Sequence, residues 1–232
     1  MSEILVENKN VVIPGEILAK GMDYLPGDNT YREGEQILSK SVGLVTISGR
    51  VIKVTPLGGA YRPRVGDKII GLVFDITMSG WRIKTNTAYP AMLNVKDATT
   101  RFVRKDEDLS KILAVGDYVV VKIIRVTSQN LIDLSMSDPD LYKINGGRII
   151  NINPQKVPRV IGKQGSMVSV IKRYCNCDIT VGQNGLILIR AKEGGDEYLA
   201  EQAVKLVEKE SHRSGLTERI EAFLKDQGAN AA

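Results

Sequence analysis

Over the first 140 residues, apolar side chains come in short runs broken by Gly, Pro, Asn and Asp; helical spacing sets in only beyond residue 150. From residue 1 to 64, β-branched runs such as Val42-Gly43-Leu44-Val45-Thr46-Ile47 and Arg50-Val51-Ile52-Lys53-Val54 alternate with breaks at Pro14-Gly15, Pro26-Gly27-Asp28, Gly34 and Gly58-Gly59. Proline fixes φ and glycine accepts φ above zero, so these breaks read as turns and the segment as a small β module. Residues 65–140 predict five strands. They are Lys68–Ile76, Trp81–Lys84 after the Ser79-Gly80 turn, Tyr89–Leu93, Tyr118–Val126 and Leu131–Met136. Two of them follow the same Val-Gly-Asp opening, at residues 65–67 and 115–117. This order fits a five-stranded Greek-key OB barrel. Residues 141–211 predict a strand at Arg148–Ile152, a helix near Val157–Ile161 and a helix over Ser166–Tyr174. Two strands follow around the hairpin signal Asn184-Gly185, then a helix carrying Leu199, Ala203, Leu206 and Val207. The tail, 212–232, predicts one more helix through Leu216, Ile220 and Leu224, with a frayed end. The expected fold is mainly β with an α+β C-terminal domain.

Alternation assigns faces in the second barrel strand. With Ile83 and Trp81 directed inward, Arg82 and Lys84 face solvent. Lys122 and Arg125 fall on opposite faces of their strand unless a bulge intervenes. In the insertion between strands, Arg101, Arg104 and Lys105 are followed at once by Asp106, Glu107 and Asp108, which reads as a solvated surface.

The barrel segment, with Gly66-Asp67, Gly71-Leu72-Val73, Gly116-Asp117, Val121-Lys122-Ile123 and Leu134-Ser135 in this order, resembles the S-one domain, an RNA-binding OB module. That resemblance implies a nucleic-acid face. Arg82 stands where family members carry an aromatic, so stacking there would be guanidinium on base, and Tyr89 is the candidate stacking ring. Lys84 and Lys122 complete the candidate contacts of the barrel.

Val160-Ile161-Gly162-Lys163-Gln164-Gly165, set between two short helices and followed by a hairpin, resembles the signature of a KH domain. The physics agrees with the resemblance. Glycines let a sugar–phosphate backbone approach the main chain, and the following helix aims its N-terminal amides at phosphate. Lys163 adds a charge, and a KH loop grips about four nucleotides. The resemblance implies Gly162, Lys163, Gln164 and Gly165 as RNA contacts, with Arg159, Lys172 and Arg173 beside them. Aspartates at Gly162 and Gly165 would then oppose phosphate and weaken RNA binding.

Charge sharpens the picture. Residues 141–192 hold nine Lys and Arg against one acid, Asp178, whereas 193–232 are net negative. Such a local basic block fits a partner made of phosphates. With 43% hydrophobic and 25% charged residues the chain reads as an ordinary folded protein of one to three domains. It lacks a membrane-length apolar stretch or a secretory start, so a cytoplasmic protein without a membrane partner is expected. Cys175-x-Cys177 lacks further ligands to complete a zinc site and reads as core packing. The one histidine, His212, has no nucleophile or paired acid in a motif. Neither catalytic nor metal-ligating residues, nor a cofactor, are expected.

The order of modules, together with Val12-Ile13-Pro14-Gly15-Glu16-Ile17-Leu18 and Gly27-Asp28-Asn29-Thr30-Tyr31, resembles the RNA-binding cap subunits of the archaeal exosome. The resemblance implies a non-enzymatic protein that binds single-stranded RNA. It also implies three cap subunits on a hexameric RNase PH-type ring, with residues 1–64 docking on the ring. A free-standing RNA-binding factor of translation or transcription is the alternative.

Overall fold

The structure is a computed structural model that describes residues 3–99, 101, 104, 107–211 and 215–227. His212, Lys105, Asp106 and the last five residues lie outside them. The chain divides into two units, Met1–Gly59 and Ala60–Ala232.

Among the described residues the first unit contains eight short strands: β1 (Glu3–Ile4), β2 (Val11–Val12), β3 (Ile17–Lys20), β4 (Leu25–Pro26), β5 (Thr30–Glu33), β6 (Gln36–Ser39), β7 (Gly43–Ser48) and β8 (Val51–Pro56). They form two four-stranded sheets, ordered β1-β3-β6-β5 and β2-β7-β8-β4. The core comes from both sheets and includes Val12, Leu18, Ile37, Val45, Ile52 and Val54. The Gly27–Thr30 turn ties them together. Buried Thr30 donates through Oγ1 to Gly27 O (2.9 Å) and to Ile52 O (3.1 Å), and Asn29 Nδ2 donates to Val54 O (2.9 Å). Residues singled out by the sequence as a family opening therefore serve as splices between sheets.

In the second unit β9 (Lys68–Thr77), β10 (Gly80–Lys84), β11 (Ala91–Asn94), β12 (Tyr118–Val126) and β13 (Ile132–Ser135) close a barrel in the order β10-β11-β13-β12-β9. The short helix α1 (Val95–Ala98) follows β11. Trp81 and Ile83 are fully buried in the barrel core, and Trp81 Nε1 donates to Leu113 O (2.9 Å) in the insertion. Tyr61 packs into the same core and donates its hydroxyl to Asp67 Oδ2 (2.5 Å). Burial first, then this bond to a carboxylate, pushes the tyrosine hydroxyl far above its ordinary pKa.

Next comes a three-stranded antiparallel sheet, β14 (Arg148–Asn151), β15 (Cys177–Val181) and β16 (Leu186–Ala191), in the order β14-β16-β15. Helices α2 (Val157–Ile161), α3 (Ser166–Cys175), α4 (Glu197–Glu210) and α5 (Leu216–Asp226) share one core with it. Cys175 and Cys177 are buried in that core, as expected, and burial pushes the Cys175 thiol up to about 12. Leu216, Ile220 and Leu224 of α5 are buried there too.

Both faces of this sheet are covered. Ile187 and Ile189 point to the helices, whereas Leu186 and Leu188 join Ile70, Val120 and Leu141 in a small core against the barrel. A strand covered on both sides is apolar at successive positions, which is why Leu186–Ile189 reads as one hydrophobic run. The β15–β16 turn seals the junction. Asn184, fully buried, donates through Nδ2 to Ile70 O (2.7 Å) and Thr85 O (2.9 Å), and its Oδ1 accepts from Ile70 N (3.3 Å). Gln183 N also donates to Lys68 O (2.9 Å).

An ion-pair cluster ties α4 to the edge strand. The Glu201 carboxylate, 7% exposed, accepts from Lys205 Nζ at 2.5 Å and lies 2.6 Å from Arg148 Nε as an ion pair without a hydrogen bond. The Lys205 hydrogen bond leads the causes that hold this carboxyl below its ordinary 4.5, with the Arg148 charge assisting. A depressed carboxyl stabilises the fold above its unfolded value and loses that contribution as pH falls through the folded one. Glu201→Gln should therefore lower the urea midpoint at pH 7, and the gap to wild type should close below about pH 4.5. A gap that stays constant down to pH 3 would remove this role.

Candidate nucleic-acid interface

The sequence between α2 and α3 builds a loop that cannot be an ordinary helical turn. Pro158 is the second residue of α2, and Gly162 ends the helix with φ 76° and ψ 176°, its N–H donating to Pro158 O (3.0 Å). Gln164 (φ 54°) and Gly165 (φ 80°) are also left-handed, so the chain turns sharply before α3 starts at Ser166. A Cβ at Gly162 would sit 2.7 Å from Met167 N, so the position requires glycine. Val157 and Val160 on one helix, and Met167, Ile171 and Tyr174 on the other, anchor the loop to the core.

The anchored loop presents Arg159, Lys163 and Gln164 to solvent. No side chain caps α3, and its first turn holds no acid. The main-chain donors and positive end of a ten-residue helix thus stand beside a lysine and two glycines. This is the arrangement that receives an anion approaching the backbone. It brings together Arg159, Gly162, Lys163, Gln164 and Gly165. Lys172 and Arg173 are elsewhere: they occupy the last turn of α3, about 9 Å along the helix from Ser166.

The barrel residues fall where alternation expects, with qualifications that only pairing reveals. Arg82 and Lys84 are exposed on β10, but Arg82 Nη1 lies 3.4 Å from Asp75 Oδ2 across the strand pair. Tyr89 is 47% exposed in the loop before β11. Lys122 is held by Asp138 Oδ2 at 2.8 Å, and that hydrogen bond raises its pKa. Its cross-strand partner is Lys68, which pairs with Asp140 at 2.7 Å. The two acids neutralise like charges placed directly opposite, a structural task for Lys122. Arg101 pairs with Glu107, consistent with a solvated insertion.

Two bulges reshape the barrel surface. On β9, Val73 faces Ile83 and Asp75 faces Arg82, which leaves Phe74 as the extra residue, 43% exposed. On β12, Ile123 faces Leu134 and Arg125 faces Asp133, so Ile124 is extra. That bulge meets the condition under which Lys122 and Arg125 share a side. Phe74 is an exposed ring beside Arg82 that strict alternation gave no reason to single out. The sequence holds no local signal for it, because a bulge depends on the partner strand. Among the described residues, no group of three His, Cys, Asp or Glu side chains is placed to hold a metal ion, and no helix is long and apolar enough to cross a membrane.

Comparison with known proteins agrees with this geometry. Residues 9–58 match the exosome RNA binding protein RRP4 N-terminal domain, and residues 147–209 match the KH domain. The exosome complex component Rrp4 of Pyrococcus abyssi is 41% identical over 227 residues, covering 97% of this chain and 85% of that protein. Its counterpart from Methanopyrus kandleri is 41% identical over 231 residues, covering 96% of each. A crystal structure described as an exosome complex RNA-binding protein superimposes with a TM-score of 0.67 at 32% identity, covering 73% of this chain and 98% of that one. The opening motif, the barrel, the Gly-x-x-Gly loop and identity along nearly the whole length converge, and the chain belongs to the Rrp4 family of exosome complex components.

Proposed function

We propose that this chain is a non-catalytic, cytoplasmic cap subunit of an exosome. In this reading three copies sit on a hexameric RNase PH-type ring and gather single-stranded RNA for 3′-to-5′ degradation. The observation that carries the RNA-binding role is the Gly162–Gly165 loop, an acid-free turn of left-handed residues at an uncapped helix start on a rigid core. The residues we assign to the RNA are Arg159, Gly162, Lys163, Gln164 and Gly165, with Lys84, Tyr89 and Phe74 on the barrel. Domain limits near 1–64, 65–140 and 141–211, followed by a helical tail, divide the chain into docking, RNA-path and RNA-holding parts.

Ring docking is supported by the outward face of the β2-β7-β8-β4 sheet. Register puts Val11, Leu44, Val51 and Leu25 on one side, opposite the buried Val12, Val45 and Ile52. Val11 at one end of this face and Leu25 and Val51 at the other are 60%, 55% and 38% exposed, with Thr46 and exposed Lys53 between them, a mixed surface open to a protein partner. Mixing the full chain with a reconstituted RNase PH-type ring should give a light-scattering mass increase of three chains per ring. Val11→Asp with Val51→Asp should abolish it, since both side chains lie outside the unit's core. No association by the folded wild-type chain would leave the free-standing RNA-binding factor as the reading.

A further inference from the structure

The far end of α3 carries a second cationic feature. Ser169, Lys172, Arg173 and Asn176 of α3 and its cap, Asp178 at the start of β15 and Lys192 after β16 line an open groove of about 320 Å³. Its floor is tied by Lys192 N donating to Asn176 O (3.0 Å) and Asn176 Nδ2 donating to Glu193 O (2.8 Å). Asp178 is the one acid among the lining side chains and already bridges Lys192 (3.1 Å) and Arg190 (3.6 Å). Among the described residues, neither Lys172 nor Arg173 takes part in an ion pair, and both are exposed. Cations on a last helical turn offset the helix dipole. That places Lys172 and Arg173 on the helix, and Lys192, bridged by Asp178, adds a third cation to the same lining.

The groove is also connected to the loop at the other end of the helix. Ser166, Ser169 and Lys172 of α3 are all exposed and step around the helix by about 60° at each interval of three, from the loop end to the groove. No acid occurs in α3. A strand gripped at Gly162–Gly165 that winds with these residues passes over two hydroxyls before it reaches the groove.

We propose that the groove formed by Lys172, Arg173, Lys192 and Asn176 is a second phosphate-contact site, taking the backbone of the same single-stranded RNA beyond the nucleotides held by the Gly-x-x-Gly loop. The proposal rests on the RNA-binding reading above. It makes the third module a two-point grip, with a site length longer than the roughly four nucleotides of the loop alone.

The test uses the full chain, labelled RNA oligomers of four and of twelve nucleotides, and a salt series. Lys172→Gln with Arg173→Gln should weaken the twelve-mer about tenfold and reduce the slope of log affinity against log salt by about 1.4, leaving the tetramer unchanged. Asp178→Asn should tighten the twelve-mer, a gain that misfolding cannot produce. Unchanged twelve-mer binding in both variants, while loop substitutions still weaken it, overturns the second site and leaves the loop reading intact. Equal losses for both lengths overturn it by merging these cations with the loop. Loss of binding to a polyglutamate peptide with RNA affinity unchanged overturns it in favour of an acidic protein partner. Failure of the wild-type chain to bind either oligomer at low salt removes the RNA reading itself.

Discussion

Lys163→Asp combined with Gln164→Asp should weaken single-stranded RNA binding about 30- to 150-fold at moderate salt, without lowering the thermal midpoint by more than a degree or two. The change removes one charge-assisted contact, worth about 1.5–3 kcal/mol, and sets two carboxylates where phosphate should lie. Each 1.4 kcal/mol is a factor of ten in affinity, and loss of a single cation should also flatten the salt slope by about 0.7. Both side chains are exposed, so the core does not register their replacement. Gln164 sits at φ 54°, a conformation aspartate tolerates better than most residues. The pair suggested by the motif alone, Gly162→Asp with Gly165→Asp, is a poorer probe. At Gly162 any Cβ meets Met167 N at 2.7 Å, so lost binding would be confounded with a distorted loop. Wild-type affinity in the folded Lys163/Gln164 variant would withdraw the loop from the RNA interface.

Asn184→Ala should destabilise the second unit by about 3 kcal/mol or more and divide its unfolding into two transitions. The substitution leaves Ile70 N, Ile70 O and Thr85 O without their side-chain partner in a fully buried junction. Each buried orphan costs about 1–3 kcal/mol. The junction joins the barrel to the three-stranded sheet, so its loss removes a coupling between two cores rather than packing within either. Trp81, the sole tryptophan, reports the barrel, and far-UV dichroism reports mainly α3, α4 and α5. In urea the two signals should coincide for wild type and separate for the variant. Asn184→Asp should be at least as damaging at neutral pH, since a carboxylate has no hydrogen to give the two carbonyl oxygens. Coincident, unshifted transitions in Asn184→Ala would show that apolar contacts around Leu188 and Ile70 hold the junction unaided.

Asn184 also marks a limit of reading the chain residue by residue. With Gly185 it signals a hairpin, and a hairpin does lie there. Nothing in that dipeptide says that the side chain turns inward and bonds to a strand more than a hundred residues away. The Leu186–Ile189 run held a partial signal, because successive apolar positions require cover on both faces. α4 shows a smaller displacement of the same kind. The sequence pattern weighs Leu199 and Leu206, yet both are half-buried, and Ala200, Ala203, Val204 and Val207 face the sheet. Small residues at the contact let α4 approach closely, which a search for large apolar side chains under-reads.

What the sequence by itself determined is whatever depends on local period and local chemistry. The five barrel strands, the order of elements around the Gly-x-x-Gly loop, the inward Trp81 and Ile83, and the buried cysteines all follow from alternation, turn residues and side-chain polarity within a few neighbours. The tertiary structure decided what depends on a partner distant in the chain. A bulge is defined only against the opposing strand, so it took pairing to turn Phe74 outward and to bring Lys122 and Arg125 to one side. It took packing of residues 137–143 against the barrel to give Lys122 its acid. Helix length separated Lys172 and Arg173 from the loop they neighbour in sequence, and folding of β15 and β16 onto α3 gave them new cationic neighbours. Local free energies select elements, whereas the free energy of burying polar groups and charges selects their partners, and those partners are specified only once the chain has closed on itself.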